Sequence, residues 1–527
     1  MNQTLHIFLK DARRFWAEIV VSAAVIATFI GICTALHGDR PDVHDVRLQI
    51  MATLAGLLMV HVPVSWWVLI TRVIHAERLV GDTQFWITRP YVWSKLLSAK
   101  MLFLLAFLYL PFFIAQCLIL AIAGFAPQSL VSGMLYNLLL LTACVILPLA
   151  AVAAVTSNFA RMTLTLLGIF LLSFAFATLT AIYFATPGNG VTSYVGVRIC
   201  FALALVVCSA AMVLQYALRK VWLSRAVLIP LPFLMLAAIS IGSKYDQAQM
   251  VRNYPTAQTA PIQLSYTPNP RSFQTSNFQA SANVKIPVSI SLTESGVPDG
   301  FAVLPDAARI QIQAPDGSHW ESEWQGGDGY KFLPGESRFS PNFSMPLQVF
   351  SKFQFVPLNV QVIFAITQVQ AGKVTTIPMP LEKVTVPDFG ICSPVSWESV
   401  IGQAVGISCI SPLRDPPLTH ISTHWSQGPC SDAQPAPDSG LLGTAWSGSL
   451  DREPAQLSIV PFVDLPINLS NSEIVNTPGG KPRYLCAGMP ITFTQYDRVA
   501  RMTTSVDIHD FHLPKVSVQG STLTVTQ

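Results

Sequence analysis

Few groups of residues in this sequence have the types and spacing that chemistry requires. The run DIHDFH holds Asp507, His509, Asp510 and His512, whose carboxylates and imidazoles could ligate a metal ion. On a regular strand, however, successive side chains point to opposite faces, so that Asp507 and His509 would lie on one side and Asp510 and His512 on the other. A polar strand end is therefore the favoured interpretation, and we predict no metal site.

A second pair of histidines, His420 and His424 in HISTH, would suit one face of a helix, but the prolines before it predict a loop. The sequence contains no GxxxxGK[ST] phosphate loop, no GxSxG elbow and no HExxH run. We therefore assign no catalytic residue, expect no cofactor and do not expect this chain to be an enzyme.

His61 is the one ionisable side chain deep within a long apolar run, apart from the weakly acidic Cys and Tyr. Ionisable groups inside a membrane are candidates for function, but a single His without a carboxylate partner is more often hydrogen-bonded to a neighbouring backbone carbonyl. Asp and Glu are absent between Asp82 and Asp246. Proton-coupled carriers and intramembrane proteases usually need such carboxylates, so the sequence disfavours both classes.

These residues belong to a chain built from long apolar runs. The 527 residues are 51% hydrophobic and 12% charged, whereas soluble domains carry about 25% charged residues. Apolar runs of about 20 residues predict membrane-spanning helices, because lipid cannot satisfy exposed backbone groups. We predict an amphipathic interfacial helix over residues 1–14 and a polytopic α-helical membrane domain over residues 15–243. Its seven expected spans are Phe15–Leu36, Ile50–Thr71, Met101–Gly124, Gly133–Val155, Thr163–Ala185, Ile199–Leu218 and Ala226–Gly242.

The distribution of charge predicts the orientation of these spans. Lys and Arg are enriched in cytoplasmic loops, and a cytoplasmic N-terminus places 12 of them in inner segments and 3 in outer short loops. Seven spans then put the rest of the chain on the extracytoplasmic side. The net charge is +8 through Gly242 and −5 thereafter, which indicates a membrane part and an aqueous part. No basic cluster is interleaved with stacking aromatics, so we expect membrane lipid and no nucleic acid as a partner.

The rest of the chain predicts an all-β, sandwich-like soluble domain. In VKIPVSISL, period-two alternation places the apolar residues from Val284 to Leu292 on one face. The run LNVQVIFAITQVQAGKVTTI predicts two strands around Ala371–Lys373, and KVSVQGSTLTVTQ predicts a closing hairpin. We expect a linker over residues 244–270, a first lobe over residues 271–387 and a second lobe over residues 388–527.

Four cysteines, Cys392, Cys409, Cys430 and Cys486, all fall in the second lobe. An even number of cysteines in an oxidising compartment allows two disulfides, and their pairing has three possibilities. The spacing lacks the close pairs of a zinc site. Two disulfides are the preferred interpretation, and free buried thiols are the alternative.

One inner segment, DTQFWITRPYVWSKLLSAK from Asp82 to Lys100, is basic and aromatic between two long apolar runs. The residues themselves allow two interpretations. The segment is either an interfacial helix with an aromatic belt and snorkelling bases, or a short helix that docks on a cytoplasmic partner.

This segment resembles the first inner loop of ABC-2-type transporter permeases. In that family an acidic residue precedes a W-x-T-R-P run, and a K-L-L-x-A-K run then enters the third span. The matching positions here are Asp82, Trp86, Thr88, Arg89, Pro90, Lys95, Leu96, Leu97, Ala99 and Lys100. The run TLHIFLKDARRFW likewise resembles the amphipathic elbow helix before the first span, with an apolar face formed by Leu5, Phe8, Leu9, Ala12 and Trp16. The resemblance covers about Met1–Leu218.

The resemblance implies a permease subunit of the bacterial cytoplasmic (inner) membrane that pairs with a separate ABC ATPase subunit, as a homodimer or heterodimer of permeases. The residues implied to couple to the ATPase are Asp82, Trp86, Arg89, Pro90, Trp93 and Lys95. The family core has six spans, whereas this sequence predicts a seventh span and an outer β-domain, so both export and envelope remodelling are open. The alternative is a non-transporting multi-span anchor that presents an extracytoplasmic β-sandwich as a binding or sensor domain.

Overall fold

The structure is a computed structural model of the chain. It describes residues 3–38, 46–77, 92–126, 130–184, 194–255, 262–267, 276–279, 285–326, 332, 337–378, 384–399, 402–411, 417–424, 441–447, 463–467, 490–519 and 522–526. Within them a helical N-terminal half is followed by a mostly β C-terminal region, as the sequence predicts.

The helices of the described residues are α1 (Gln3–Arg14), α2 (Trp16–Gly38), α3 (Val46–His75), α4 (Trp93–Leu104), α5 (Leu110–Ile122), α6 (Val131–Leu141), α7 (Leu147–Val155), α8 (Phe159–Phe184), α9 (Tyr194–Leu218), α10 (Val221–Leu228), α11 (Leu231–Asn253) and α12 (Leu347–Phe353). Two π-helical turns, Leu105–Tyr109 and Thr142–Ile146, join α4 to α5 and α6 to α7.

Six helical stretches of the described chain are long and apolar enough to cross a membrane: Trp16–Thr34, Thr53–His75, Trp93–Ile122, Val131–Val155, Val195–Leu218 and Val221–Asn253. Their outward surfaces are apolar, with side chains such as Val206 and Ile229 exposed by 67% and 68%. Water would make such exposure costly, whereas lipid does not. The chain is therefore a multi-pass membrane protein. The remaining predicted span, Thr163–Ala185, coincides with α8, which runs from Phe159 to Phe184.

Proline positions explain the two π-helical turns. Each turn directly precedes a helix that has proline at its second residue, Pro111 in α5 and Pro148 in α7. Proline lacks an N–H group and its ring clashes with the carbonyl four residues earlier, and a widened turn relieves this clash. The hydroxyl groups of Tyr109 and Thr142, one from each turn, are hydrogen-bonded at 2.7 Å. This bond connects the two π-helical turns directly.

Aromatic side chains fill the core of the helical part. Trp66 of α3 meets Phe112 of α5 edge to face, with ring centres 5.3 Å apart. Phe8 of α1 stacks on Phe107 at 5.7 Å and meets Phe103 edge-on at 6.5 Å. Pairs in these geometries contribute about 0.5–1.5 kcal/mol beyond their buried area, and they fix α1 against α4.

The strands of the described residues are β1 (Gln263–Tyr266), β2 (Ser276–Gln279), β3 (Lys285–Ser289), β4 (Leu292–Ser295), β5 (Phe301–Gln313), β6 (His319–Glu321), β7 (Gln325–Gly326), β8 (Ser337–Phe339), β9 (Asn342–Pro346), β10 (Leu358–Pro378), β11 (Val384–Val386), β12 (Gly390–Ser399), β13 (Gly402–Ser411), β14 (Thr419–His424), β15 (Leu441–Ser447), β16 (Val463–Ile467), β17 (Pro490–Phe511), β18 (Lys515–Gln519) and β19 (Thr522–Thr526).

The chain forms two compact units that are interleaved in sequence. The first comprises Met1–Ser173, Cys200–Met235 and Lys373–Gln495, and the second comprises Phe174–Ile199, Leu236–Gly372 and Tyr496–Gln527. The sequence predicts consecutive lobes divided near residue 387, and the structure differs because antiparallel pairing joins distant segments. The C-terminal strand β19, for example, pairs with β2 in the second unit.

The first unit holds the antiparallel sheet β11–β12–β13–β16 and the pairing of β14 with β15 and with the first residues of β17. HISTH thus forms strand β14, and the predicted loop is wrong, because strands on both sides supply hydrogen-bonding partners that outweigh the local proline signal.

The second unit has a sandwich-like core. The predicted alternation is confirmed at Ile286, Val288, Ile290 and Leu292, all 0–1% exposed, although the strand is interrupted after Ser289. These side chains pack with the inward-facing residues of β5, β9, β10 and β17. The predicted turn at 371–373 is wrong. Residues 358–378 form one continuous strand. A tight turn at this point would need a positive φ at Gly372, and Gly372 is not among the described glycines with a positive φ.

The predicted linker is structured at both ends of its described residues. Residues 244–253 continue α11, and Gln263–Tyr266 is β1. The end of α11 docks on the sheet of the second unit, where the Gln247 amide donates to the Trp324 carbonyl and accepts from the Trp324 N–H, both at 2.8 Å. Tyr254, just beyond the helix, donates to Asp306 at 2.7 Å.

Candidate functional site

A buried cluster of charged side chains joins α1, α4 and the end of α3 in the first unit. Lys100 Nζ lies 2.7 Å from Asp11 Oδ2 and 2.9 Å from Glu77 Oε2, and the three side chains are 1%, 0% and 5% exposed. A third bond of 2.9 Å runs from Lys100 to the Val73 carbonyl. Lys10 pairs with the other oxygen of Glu77 at 2.5 Å. Two cations thus face two carboxylates, and the cluster is formally neutral.

The spacing of residues in α1 explains how a carboxylate enters the core. Ile7, Asp11 and Phe15 are four residues apart, so they share one face, and all three are buried. Leu5 and Trp16, which belong to the apolar face expected from the sequence, are 44% and 65% exposed. The helix therefore buries one stripe in the bundle and leaves a second apolar stripe outside it, as an interfacial helix requires.

The other two members come from α4 and from the end of α3. In α4 the buried face includes Leu96, Ala99 and Lys100, so that Lys100 points toward α1. Glu77 lies two residues beyond the end of α3 at His75. Because a buried lysine must keep its charge compensated, the cluster fixes the distance between these three elements.

The two carboxylates respond differently to the same environment. Burial raises the pKa of Asp11, and the charge and hydrogen bond of Lys100 offset this only in part. Burial also acts to raise the pKa of Glu77, but the Lys100 charge and the hydrogen bonds from Lys10 and Lys100 outweigh it, so that the pKa of Glu77 is lowered. Glu77 is thus the firmly ionised partner, because it has two ammonium groups where Asp11 has one.

Along the sequence, the residues predicted for coupling follow Glu77 and precede Lys100, two members of this cluster. Asp82, Trp86, Arg89 and Pro90 lie outside the described residues. Trp93 and Lys95, at the start of α4, are exposed. Because both side chains are exposed, they are accessible to another molecule.

Two more basic side chains hold the same end of the helical bundle. His75 of α3 lies 3.0 Å from the Ala153 carbonyl of α7, and Arg225 of α10 donates to the Val155 carbonyl at 2.9 and 3.2 Å. The last carbonyls of a helix have no partner within it, and cations stabilise that end. The C-terminal end of α7 is therefore clamped by both neighbours.

His61 lies on the exposed side of α3. Its Nδ1 donates to the carbonyl of Leu57, one turn earlier, at 2.7 Å. The described part of the chain holds no group of three or more His, Cys, Asp or Glu arranged for a metal ion around this residue or elsewhere.

The structure shows the pairing of two of the four candidate cysteines in the β region. Cys392 of β12 and Cys409 of β13 are directly opposite each other and form a disulfide, with Cα atoms 4.0 Å apart. Cys430 and Cys486 lie outside the described residues, so the second predicted disulfide stays a prediction.

The run DIHDFH departs from the regular alternation that the sequence predicts. Val506, Ile508 and Phe511 are all packed in the same core, so alternation shifts by one residue between them. Asp510 has a φ of 56°, a left-handed conformation that inserts the extra residue. Asp507, His509, Asp510 and His512 are consequently all exposed on the face away from the core, and the predicted division between two faces is wrong.

Sequence reasoning missed the buried cluster because Asp11 and Lys100 are 89 residues apart. One signal was available: Asp11 occupies the stripe shared by Ile7 and Phe15. A carboxylate on an apolar stripe requires a buried cationic partner, and Lys100 is the last base before an apolar run that continues to Arg161.

In sequence comparisons the chain matches no known protein-family model and no curated protein.

Proposed function

We propose that this chain is the membrane-spanning permease subunit of an ABC-2-type transporter, moved by a separate ATPase subunit. The observation that carries the proposal is the buried cluster of Asp11, Lys100 and Glu77. It ties the interfacial helix α1 to the two helices that flank the basic, aromatic segment around Arg89.

A segment that receives force from a partner can transmit it only if the helices at its two ends keep their positions relative to each other. Breaking a buried ion pair by removing one partner costs about 3–5 kcal/mol, so the cluster resists relative sliding of α1, α3 and α4. Motion delivered between Glu77 and Trp93 would then move these helices together. In this proposal Trp86 and Arg89 make the principal contact with the ATPase, and Asp82, Pro90, Trp93 and Lys95 complete it.

The proposed topology follows the charge distribution. The N-terminus and the segment around Arg89 face the cytoplasm of a bacterium, and the β region lies outside the inner membrane. Two permease chains, identical or different, form the complex. The work done is export or remodelling of the envelope.

Purification from native membranes in a mild detergent tests this proposal. We expect a stoichiometric subunit with a phosphate-binding loop, identified by mass spectrometry, and ATP hydrolysis by the complex. Arg89→Glu should remove that subunit without reducing the amount of chain in the membrane. Arg13→Glu, an exposed base on α1 outside the segment, is the matched control and should retain it.

Recovery of the wild-type chain without any ATPase subunit would contradict the proposal. That result would favour the alternative, in which the membrane part only anchors a β binding or sensor domain. Retention of the ATPase by the Arg89→Glu variant would refute the role of Arg89.

A further inference from the structure

One face of a sheet in the second unit carries a regular array of polar side chains, which we call the polar array. Its strands lie in the order β6, β5, β10 and β17. The first row of the array crosses all four strands. Glu321 is opposite Gln311, Gln311 is opposite Gln361, and Gln361 donates to Asp507 at 2.8 Å.

The second row is parallel to the first, two residues along each strand. His319 is opposite Gln313, and Gln313 is opposite Asn359. The Asn359 side-chain oxygen accepts from His509 Nδ1 at 3.1 Å. Each row therefore has two amides in the middle, with carboxylates at the ends of the first row and imidazoles at the ends of the second.

The two rows line an open groove of about 430 Å³. Three strand spacings make the groove about 14 Å long across the sheet. The opposite face of the same strands is fully packed, with Ile310, Ile312 and Val362 at 0–1% exposure. The array is thus held on a rigid support, and its side chains need little ordering when a ligand binds.

We propose that the polar array binds a neutral saccharide chain laid across the strands. An amide offers both donors and an acceptor, a carboxylate accepts twice, and an imidazole can do either. Neighbouring hydroxyls of a sugar ring present donors and acceptors in the same alternation. Four amides in two adjacent rows can therefore satisfy consecutive rings, and the carboxylates at the ends of the first row can accept from further hydroxyls. This site is independent of the coupling proposed for the membrane part.

The chemistry of the array disfavours other ligands. The carboxylate of Asp507 repels phosphate or uronate groups, and the guanidinium of Arg309, two residues before Gln311 on β5, is already paired with Glu321. Extended peptides usually bind at a strand edge through backbone hydrogen bonds, whereas this array lies on a sheet face. The face has no apolar floor for a lipid, because its apolar neighbours point into the core.

Binding to the purified full-length chain in detergent tests the proposal. The probes are cellohexaose, xylohexaose, mannohexaose and chitohexaose, with hexagalacturonate and a neutral extended hexapeptide as comparison ligands. We expect saturable calorimetric binding of at least one neutral hexasaccharide. The double variant Gln311→Ala/Gln361→Ala should weaken it at least tenfold. Gln370→Ala, an exposed amide on β10 outside the array, is the matched control and should change it less than twofold.

Thermal unfolding of each variant establishes that the sheet is intact, and an imidazole substitution, His509→Phe, supplies a second test from another strand. Absence of saturable binding for all four neutral probes would overturn the proposal. Equal binding by the double variant would overturn it as well, and so would preference for hexagalacturonate or for the peptide.

Discussion

Replacing Lys100 by methionine is the sharpest perturbation of the buried charge cluster. Methionine preserves most of the side-chain volume but removes the ammonium group that contacts Asp11, Glu77 and the Val73 carbonyl. Two carboxylates then remain buried, and Lys10 compensates one of them. Removing one partner of a buried pair costs about 3–5 kcal/mol, which is a large share of a total stability of about 5–15 kcal/mol.

Lys10→Met is the matched control for this change. Its ammonium group pairs with the same Glu77, but its side chain is 36% exposed. Exposed and half-exposed pairs contribute about 0–1 kcal/mol. The two substitutions therefore remove the same kind of group from the same carboxylate, and the two lysines differ mainly in burial.

Thermal unfolding of the chain in detergent distinguishes the two variants. At about 2–4 °C per kcal/mol for a part of this size, Lys100→Met should lower the midpoint by about 6–20 °C and Lys10→Met by about 4 °C or less. The triple variant Lys100→Met/Asp11→Asn/Glu77→Gln should recover at least half of the loss, because no uncompensated charge stays buried. Equal shifts for the two single variants, or no recovery in the triple variant, would refute the reasoning.

Three further predictions concern the β region. Glu294 is fully buried, and burial raises its pKa from 4.5 to about 7. Because the folded state holds this proton more tightly than the unfolded state, stability falls as the pH rises through this interval. Thermal unfolding at pH 5 and pH 8 should show this fall in the wild type and its loss in the Glu294→Gln variant. An unaltered pH dependence in that variant would argue against the assignment. Converting both Cys392 and Cys409 to serine should cost about 3 kcal/mol, since a disulfide across 17 residues constrains the unfolded chain by about that amount. Denaturant unfolding of this double variant and of the wild type, both without reductant, measures the cost, and identical curves would contradict the prediction. Gln247→Leu leaves the N–H and carbonyl of Trp324 without their partner, at a cost of about 1–3 kcal/mol. Hydrogen exchange at the Trp324 amide should therefore accelerate about tenfold. An unchanged exchange rate would show that the contact adds no stability.

Local pattern predicted the elements of this fold well. Apolar length alone indicates the membrane helices, because backbone groups in lipid must bond within their own helix. The burial of Ile286 and Val288 follows from period-two alternation. The turn after Ala314 also follows from local chemistry, since Gly317 adopts a φ of 83° that few other residues tolerate.

Pairing between distant residues could not be predicted in the same way. Gln361 and Asp507 are 146 residues apart and meet only because β10 and β17 are neighbours. The shift in alternation at Asp510 depends on one left-handed residue, which the sequence permits without requiring. The Asp11–Lys100 pair could not be predicted for the same reason. The position of Asp11 on a buried stripe of α1 shows that it needs a cationic partner but does not show which residue that partner is.

The continuity of α11 with its docked end has a mechanical consequence. The helix has 23 residues without interruption, which makes it about 35 Å long, and the two hydrogen bonds of Gln247 fix its rotational setting against Trp324. Since each residue of an α-helix turns about 100°, slipping by a single residue would carry Gln247 to the wrong side of the helix. A rotation of residues 236–253 about the helix axis must therefore turn the strands around Trp324 with it, so this part of the helix and the sheet of the second unit form one mechanical element.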